Sequence, residues 1–153
     1  MLKGLAKWLR AAGYDTETAP EGTPDRKLIE RAQRERRILL SRDRKLMERK
    51  APDVRIVLLA CNCLDDCIDE LRTRLGVDWL HRPFSRCLRC NTPLQEATPD
   101  RWREVPEFSR QAATLLRWCP ACEQLFWDGS HVARMRERLQ QANAGRRPSP
   151  PTD

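Results

Sequence analysis

The chain has 153 residues, enough for one compact domain and a small additional module. No apolar stretch approaches the length of a membrane span and no signal peptide opens the sequence, so we expect a cytoplasmic protein with reduced cysteines and no membrane association. The net charge is +7, mostly from arginine, which favours a polyanionic partner such as nucleic acid; a solvated, arginine-rich surface would give the same excess.

The start of the chain predicts a helix followed by a short strand. Leucine and alanine residues recur at helical spacing between Leu2 and Ala12, and Gly13 is placed to end that helix. The residues from Tyr14 to Thr18 alternate in polarity, as the residues of a strand do.

A second helix is predicted after a loop over residues 20–24. Thr23 can cap this helix, Pro24 suits its first turn, and Asp25 places a negative charge near its N terminus. Apolar residues at helical spacing carry the pattern to about Arg36.

Two apolar runs predict strands of a parallel sheet. Residues 38–40 form a continuous run of the kind that is buried on both faces of such a sheet, and residues 54–59 form the second strand. A short helix over residues 44–49 follows the first strand, and a helix over residues 64–74 follows the second. Residues 77–80 predict a last edge strand.

Helices and strands alternate along this half of the chain, which is typical of a parallel α/β sheet with crossover helices. A domain of this type normally begins with a strand, whereas this sequence begins with a helix. We infer that a first strand is missing and that the domain is truncated at its N terminus.

Arg82 and Pro83 mark a predicted boundary between a domain of residues 1–82 and a second module of residues 83–141. The second module predicts a short helix over residues 108–116, a strand over residues 125–127, and a final helix that Ser130 caps and that runs to about Gln141. Residues 142–153 are rich in Pro, Gly and Ser, so we expect a disordered tail.

Two matched C-x-x-C pairs stand in the second module. Cys87 and Cys90 form one pair, Cys119 and Cys122 form the other, and residues 91–118 separate them. Two such turns brought together make the tetrahedral cage of a structural zinc site, whose binding energy stabilises a small domain with a weak core. Two disulfides are the alternative, which nothing in the sequence favours because no feature marks a secreted chain.

Three further cysteines, Cys61, Cys63 and Cys67, lie close together at the start of the third long helix. Their spacing matches no common zinc site, and the chain has only two histidines that could complete one. We interpret all three as thiols in or near the core, with a second metal site or a redox role as the alternatives.

Four aspartates follow strands or begin helices of the predicted sheet. Two residues separate Asp43 from the first strand, Asp65 and Asp66 come after the second, and Asp25 begins the helix that leads into the first strand. Open α/β sheets bind ligands at the carboxyl ends of their strands, and converging carboxylates there favour Mg²⁺ or Mn²⁺. The alternative for Asp25, Asp65 and Asp66 is a favourable charge at a helix N terminus.

The basic residues near this edge are candidate RNA contacts. Arg42 and Arg44 flank Asp43 and can bind phosphate, or they can pair with the aspartate instead. Lys7 and Arg10 in the first helix are the other candidate contacts.

Several segments together resemble the Mut-seven C-terminal ribonuclease domain family. They are G-L-A-K-W-L-R-A-A-G-Y-D-T at residues 4–16, R-I-L-L-S-R-D-R at residues 37–44, P-F-S-R-C-L-R-C-N at residues 83–91, C-P-A-C at residues 119–122, and W-D-G-S-H at residues 127–131. The resemblance covers about residues 2–138, nearly the whole of the chain outside its tail.

The resemblance implies a PIN-like, Rossmannoid nuclease domain fused to a zinc ribbon, with metal-dependent RNA cleavage by clustered aspartates. Asp43 matches the aspartate of the family's T-R-D segment, and Asp25 matches an acidic position at the head of the second helix. Asp65 and Asp66 match loosely. The family's zinc ligands match the cysteines at positions 87, 90, 119 and 122.

One departure from the family concerns the N terminus. Family members usually begin with an F-L-V-D strand whose aspartate ligates the catalytic metal, whereas this sequence opens at Met1 with the helix that follows that strand. Either the start is placed too late, or this protein has lost one ligand.

The sequence therefore predicts a Mg²⁺- or Mn²⁺-dependent ribonuclease with Asp43, Asp25 and Asp65 as catalytic residues and a structural zinc ribbon that assists RNA binding. The alternatives are a non-catalytic RNA-binding module, which would be a degenerate nuclease, and a zinc-ribbon adaptor that binds proteins. Salt-dependent binding of RNA favours the first two over the adaptor.

Overall fold

The computed structural model describes residues 2–49, 52–111 and 113–145. Its first half contains α1 (Leu2–Ala11), α2 (Asp25–Arg34), β1 (Leu39–Ser41), α3 (Arg44–Met47), β2 (Ile56–Leu58) and α4 (Leu64–Leu75). Its second half contains β3 (Gln95–Glu96), a 3₁₀ helix (Pro99–Glu104), α5 (Glu107–Arg110), β4 (Leu116–Trp118), β5 (Leu125–Trp127) and α6 (Ser130–Asn143).

The first half is a mixed α/β structure with a small parallel sheet. β1 and β2 pair in parallel, with Leu39 opposite Ile56 and Ser41 opposite Leu58. Within the described ranges this sheet has two strands, fewer than the alternating pattern predicts. Consequently β1 is half-buried rather than covered on both faces, and Ile38, which precedes it, is 47% exposed.

The predicted strands over residues 14–18 and 77–80 are wrong, because side chains take the backbone groups that a sheet would need. The N–H of Thr16 donates to the Asn91 side chain. The N–H of Asp78 donates to the Tyr14 hydroxyl, and the N–H of Trp79 donates to the Asn143 side chain. Both segments are thus fixed by long-range side-chain contacts and not by strand pairing.

Two predicted helix caps are also wrong, each by one residue. Pro24, not Thr23, precedes α2, and the Thr23 hydroxyl donates to the Pro20 carbonyl. Gly129, not Ser130, precedes α6. α6 also extends to Asn143, so it includes two residues assigned to the tail; residues 146–153 lie outside the described residues.

The second half contains an antiparallel sheet in the order β3, β4, β5. The predicted strand over residues 125–127 is confirmed as β5. The predicted helix over residues 108–116 is shorter, since α5 ends at Arg110 and Leu116 begins β4, where it pairs with Trp127.

One hydrophobic core joins both halves of the chain. α1 contributes Leu5 and Leu9, α4 contributes Leu71, and α6 contributes Leu139, all of them buried. The helix that follows the antiparallel sheet thus returns to cover the first half, where it packs against α4. The boundaries at residues 82 and 141 stay a prediction.

A disulfide joins Cys61 to Cys67, whose Cα atoms lie 5.0 Å apart. Both cysteines are buried, as predicted, but they are not reduced thiols. Cys63 is exposed and caps α4, accepting a hydrogen bond from the Asp66 N–H, so the core interpretation is wrong for this residue. A disulfide is uncommon in a reducing cytoplasm, so the cytoplasmic location also stays a prediction. None of the described helices is both long enough and apolar enough to cross a membrane.

Candidate metal centre and acidic residues

The four cysteines of the two C-x-x-C pairs converge on one point, as the sequence predicts. Their sulfur atoms all lie within 4.8 Å of one another. The Sγ–Sγ distances are 3.5 Å from Cys87 to Cys122, 3.3 Å from Cys90 to Cys119 and 3.8 Å from Cys90 to Cys122. A tetrahedral zinc ion with Zn–S bonds of about 2.3 Å requires sulfur atoms about 3.8 Å apart, so the four thiols can hold a metal ion.

Each cysteine pair sits in the same kind of turn. The N–H of Cys87 donates to the Thr92 carbonyl at 2.8 Å, and the N–H of Cys119 donates to the Gln124 carbonyl at 2.9 Å. The residue after the second cysteine adopts a positive φ in both turns, 69° at Asn91 and 53° at Glu123. The two turns therefore aim their sulfurs at one point by matching backbone geometry.

The electrostatics of the cluster favour a cation. Burial opposes ionisation of Cys90, but hydrogen bonds with Thr92 outweigh it and lower the pKa of this thiol to about 6. Hydrogen bonding with Cys119 and burial raise the pKa of Cys122 to about 12. Four thiolates packed this closely would repel one another, so the thiols cannot all ionise without a cation. A thiolate-binding dication such as Zn²⁺ neutralises this repulsion.

Arg10 fastens the first half of the chain to the first cysteine turn. Its guanidinium donates to the carbonyls of Thr16, at 2.8 Å, and of Leu88 and Arg89, at 3.2 and 2.8 Å. The residue is 6% exposed. Its guanidinium is thus committed to backbone carbonyls in the interior, and its role as an RNA contact stays a prediction.

Asn91 makes the second connection, and the sequence interpretation missed it. This side chain is 4% exposed. Its amide donates to the carboxylates of Asp15 and Glu17 at 2.6 and 2.9 Å, while its oxygen accepts from the Thr16 N–H at 3.0 Å. An asparagine directly after the second cysteine is a signal for the left-handed turn, but nothing in the sequence identifies its distant partners.

Asp15 is held ionised by these contacts. Its carboxylate accepts two hydrogen bonds from Arg37, at 3.0 and 3.2 Å. This guanidinium holds the pKa of Asp15 below its ordinary value, although burial opposes the shift.

The candidate catalytic aspartates each have a separate partner. Asp43 caps α3, where its carboxylate accepts from the Lys45 N–H at 2.9 Å. An Asp25 oxygen lies 3.8 Å from Arg49, and an Asp65 oxygen lies 2.5 Å from Arg138 of α6.

These carboxylates do not converge as the cysteines do. Among residues 2–49, 52–111 and 113–145, the one group of three or more ligating side chains close enough to share a metal ion is the four-cysteine cluster. Asp43 and Asp65 therefore lie after adjacent parallel strands, as predicted. They are not, however, part of a group of three carboxylates close enough to bind one metal ion.

Glu70 of α4 is another acidic residue near the C-terminal end of β2. The sequence alone does not single it out, because it lies within a helix and does not follow a strand. Its carboxylate accepts from the N–H groups of Ala60 and Cys61, just after β2, at 3.0 and 3.1 Å. Arg74 of the same helix pairs with it. Glu70 thus fixes the loop that leads to Asp65.

Comparison of the sequence with models of known protein families identifies the family of this chain. The family model described as Mut7-C RNAse domain matches residues 1–139 of the 153. The chain belongs to the Mut7-C RNAse domain family. No curated protein and no solved structure matches the chain.

Membership in the Mut7-C RNAse domain family points to ribonuclease activity, with RNA as the substrate. The matched range includes both cysteine pairs and the aspartates at positions 25, 43, 65 and 66. Three of the predicted RNA contacts, Arg42, Arg44 and Lys7, are exposed.

Proposed function

We propose that this chain is a PIN-like ribonuclease that hydrolyses RNA with a Mg²⁺ or Mn²⁺ ion at the acidic edge of its parallel sheet. This proposal rests on the position of Asp43, which lies two residues after the end of β1 in a chain of the Mut7-C RNAse domain family. Asp65 follows the adjacent strand β2, and Asp25 heads the helix that enters β1.

A divalent cation in such a site supplies a Lewis acid that lowers the pKa of water and neutralises charge on a phosphodiester. The carboxylates would orient the attacking water and take up its proton, and a proton must reach the departing oxygen as its bond to phosphorus breaks. Arg42 and Arg44 lie beside Asp43 with exposed side chains, so they are placed to bind the phosphates that flank the cut.

The four-cysteine cluster would hold a structural zinc ion in this enzyme. Its first turn is bonded to Arg10 and, through Asn91, to Thr16, and the chain after its second turn continues into α6, which covers the core and pairs with Asp65. The ribbon thus supports RNA binding by fixing the elements around the acidic edge.

A second candidate function is RNA binding without cleavage. The observation that favours it is the separate pairing of Asp25, Asp43 and Asp65, each with its own partner, rather than as a cluster of ligands. The basic charge of the chain suits both functions equally.

Cleavage of a labelled single-stranded RNA in Mn²⁺ separates the two functions. We expect cleavage by the wild type and its loss, by at least about a hundredfold, in Asp43→Asn. Asp53→Asn is the matched control, because Asp53 is exposed and lies before β2, at the strand's other end. RNA that is bound but left intact by the wild type would contradict the nuclease proposal and support the binding module. Cleavage retained in Asp43→Asn would assign the activity to other residues.

A further inference from the structure

A cleft of about 460 Å³ lies between the first cysteine turn and the antiparallel sheet. Arg82 and Arg117 line it together with one carboxylate, that of Glu96. Two prolines, a serine and a leucine complete its walls; they are Pro83, Pro93, Ser85 and Leu94. The cleft shares no residue with the acidic edge or with the four-cysteine cluster.

The wall that carries Arg82 is fixed in place by α1. The N–H groups of Arg82 and Phe84 donate to the carbonyls of Ala12 and Ala11, at 2.9 and 2.8 Å. At Gly13, whose φ is +99°, a Cβ atom would lie 2.4 Å from the Arg82 carbonyl oxygen, so only glycine permits this approach. Arg82 therefore presents its exposed side chain from a rigid backbone.

Arg117 turns away from the carboxylate that it faces across the sheet. Glu96 is its directly opposite partner in the β3–β4 ladder, yet the Arg117 guanidinium donates instead to the Phe84 carbonyl, at 2.8 Å. That contact uses one nitrogen and leaves the second terminal nitrogen for another acceptor. Phe84 itself has a φ of +57°, a strained value for an aromatic residue, of the kind that concentrates at functional sites.

A third arginine lies on the far side of Phe84. The Arg136 guanidinium of α6 sits 5.2 Å from the centre of the Phe84 ring. In the described part of the chain, none of Arg82, Arg117 and Arg136 has a carboxylate within 4.0 Å, whereas many of the other arginines are paired in this way. The guanidinium groups of Arg117 and Arg136, neither of them paired with a carboxylate, therefore both contact Phe84. The unpaired Arg82 lines the same cleft as Arg117, where Glu96 is the one carboxylate.

We propose that this arginine cleft, formed by Arg82 and Arg117 with Arg136 beside it, binds backbone phosphates of single-stranded RNA. Guanidinium groups with free N–H donors on a fixed backbone are preorganised for phosphate oxygens. The inference rests on the proposed function, since it takes RNA as the ligand. The arginine cleft would hold the RNA, whereas the aspartates of the acidic edge, which are different residues, would cut it.

The test measures RNA binding without cleavage. All variants carry Asp43→Asn, and the affinity for a labelled 20-nucleotide oligouridine is measured by fluorescence anisotropy at several salt concentrations without added Mg²⁺ or Mn²⁺. Arg82→Gln and Arg136→Gln each remove one charge, and Arg82→Lys restores the charge at the first position. Arg34→Gln is the matched control, because Arg34 is an exposed arginine of α2 outside the cleft. Arg117 is left unchanged, since its hydrogen bond supports Phe84.

We expect Arg82→Gln to weaken binding about fivefold at 0.1 M salt and to reduce the salt slope by about 0.7, the value for one lost phosphate contact on a single strand. Arg136→Gln should act in the same direction, Arg82→Lys should recover most of the loss, and Arg34→Gln should change affinity less than twofold. Thermal unfolding of each variant confirms that the fold is retained.

Equal affinities for Arg82→Gln and Arg34→Gln would overturn the arginine cleft while leaving the ribonuclease proposal to stand on its own cleavage assay. No binding of RNA by the parent Asp43→Asn protein, together with no cleavage by the wild type, would overturn both. If the wild type does not cleave RNA but the arginine variants weaken RNA binding as expected, the proposed RNA-binding role of the arginine cleft stands and only the nuclease proposal is overturned.

Discussion

Asn91 and Glu123 occupy equivalent positions in the two cysteine turns, yet only one of them uses its side chain there. Both follow the second cysteine of a pair and both have a left-handed backbone, with φ of 69° and 53°. Asn91 hydrogen-bonds Thr16, Asp15 and Glu17, whereas no hydrogen bond from the Glu123 side chain is present among the described residues. The left-handed backbone is thus supported by side-chain hydrogen bonds, and by a residue type that tolerates it, at Asn91 but not at Glu123.

This difference predicts opposite effects of glycine at the two positions. Glu123→Gly should raise the free energy of unfolding by up to about 1 kcal/mol, because glycine adopts a positive φ without the steric cost. Asn91→Gly should instead lower stability by about 2 kcal/mol, since it removes the three hydrogen bonds of a buried side chain, two of them to carboxylates. Urea unfolding of both zinc-loaded variants checks this. Changes of the same sign at both positions would contradict the argument.

Metal removal should unfold the second half of the protein. We expect one Zn²⁺ per chain, lost in Cys119→Ser, with a loss of stability of several kcal/mol, because binding energy at such sites is folding energy, on the order of 10 kcal/mol. Elemental analysis and circular dichroism measure the two effects. Cys63→Ser is the control, because Cys63 is an exposed thiol outside the cluster and should retain the metal. Full zinc occupancy in Cys119→Ser would refute the assignment.

Arg138 should compete with a cation for Asp65. Its guanidinium lies 2.5 Å from the Asp65 carboxylate and 4.8 Å from the centre of the Trp8 ring. Arg138→Gln frees the carboxylate, so the midpoint for Mn²⁺ activation of cleavage should fall about twofold to fivefold, equivalent to ~0.5–1 kcal/mol. Arg134→Gln, in the same helix and exposed, should leave the midpoint unchanged. An unchanged midpoint in both variants would show that Asp65 does not bind the activating metal.

The Cys61–Cys67 disulfide should stabilise the loop that leads from β2 to α4. The bond closes a loop with a sequence separation of 6, for which chain entropy predicts about 2 kcal/mol. Reduction by a phosphine should lower the unfolding free energy by that amount in the wild type, but should not affect Cys61→Ala/Cys67→Ala. Thiol alkylation and mass measurement count the reduced cysteines. An alkylated Cys61 in the protein before reduction would show that the bond is not formed.

The Asp15–Arg37 ion pair should make stability depend on pH in the acid range. The pKa of Asp15 is lowered in the folded protein, so its contribution is present above the ordinary value near 3.8 and is lost as the pH falls through the lower folded value. The difference in melting temperature between the wild type and Asp15→Asn should therefore shrink below about pH 4. Using the difference between two proteins removes the common effect of zinc loss. A difference that stays constant down to pH 2 would contradict this coupling.

The long helices and the four-cysteine cluster could be predicted because their signals are local. Helical periodicity located α1, α2, α4 and α6, and the C-x-x-C spacing predicted the convergence of the four sulfur atoms. The strands at residues 14–18 and 77–80 could not be excluded from sequence. Their backbone groups bond to Asn91, Tyr14 and Asn143, which lie more than 60 residues away along the chain.

The sequence by itself determined the family, the helices and the two paired strands of the first half, and the four cysteines of the candidate zinc site. Each depends on residue types at short spacing, where backbone geometry constrains the outcome. Only the tertiary structure decided that Cys61 pairs with Cys67, that Arg10 is turned into the interior, and that Asp65 faces Arg138 rather than the other aspartates. These choices depend on which side chains meet when distant segments pack, and no local pattern encodes that meeting.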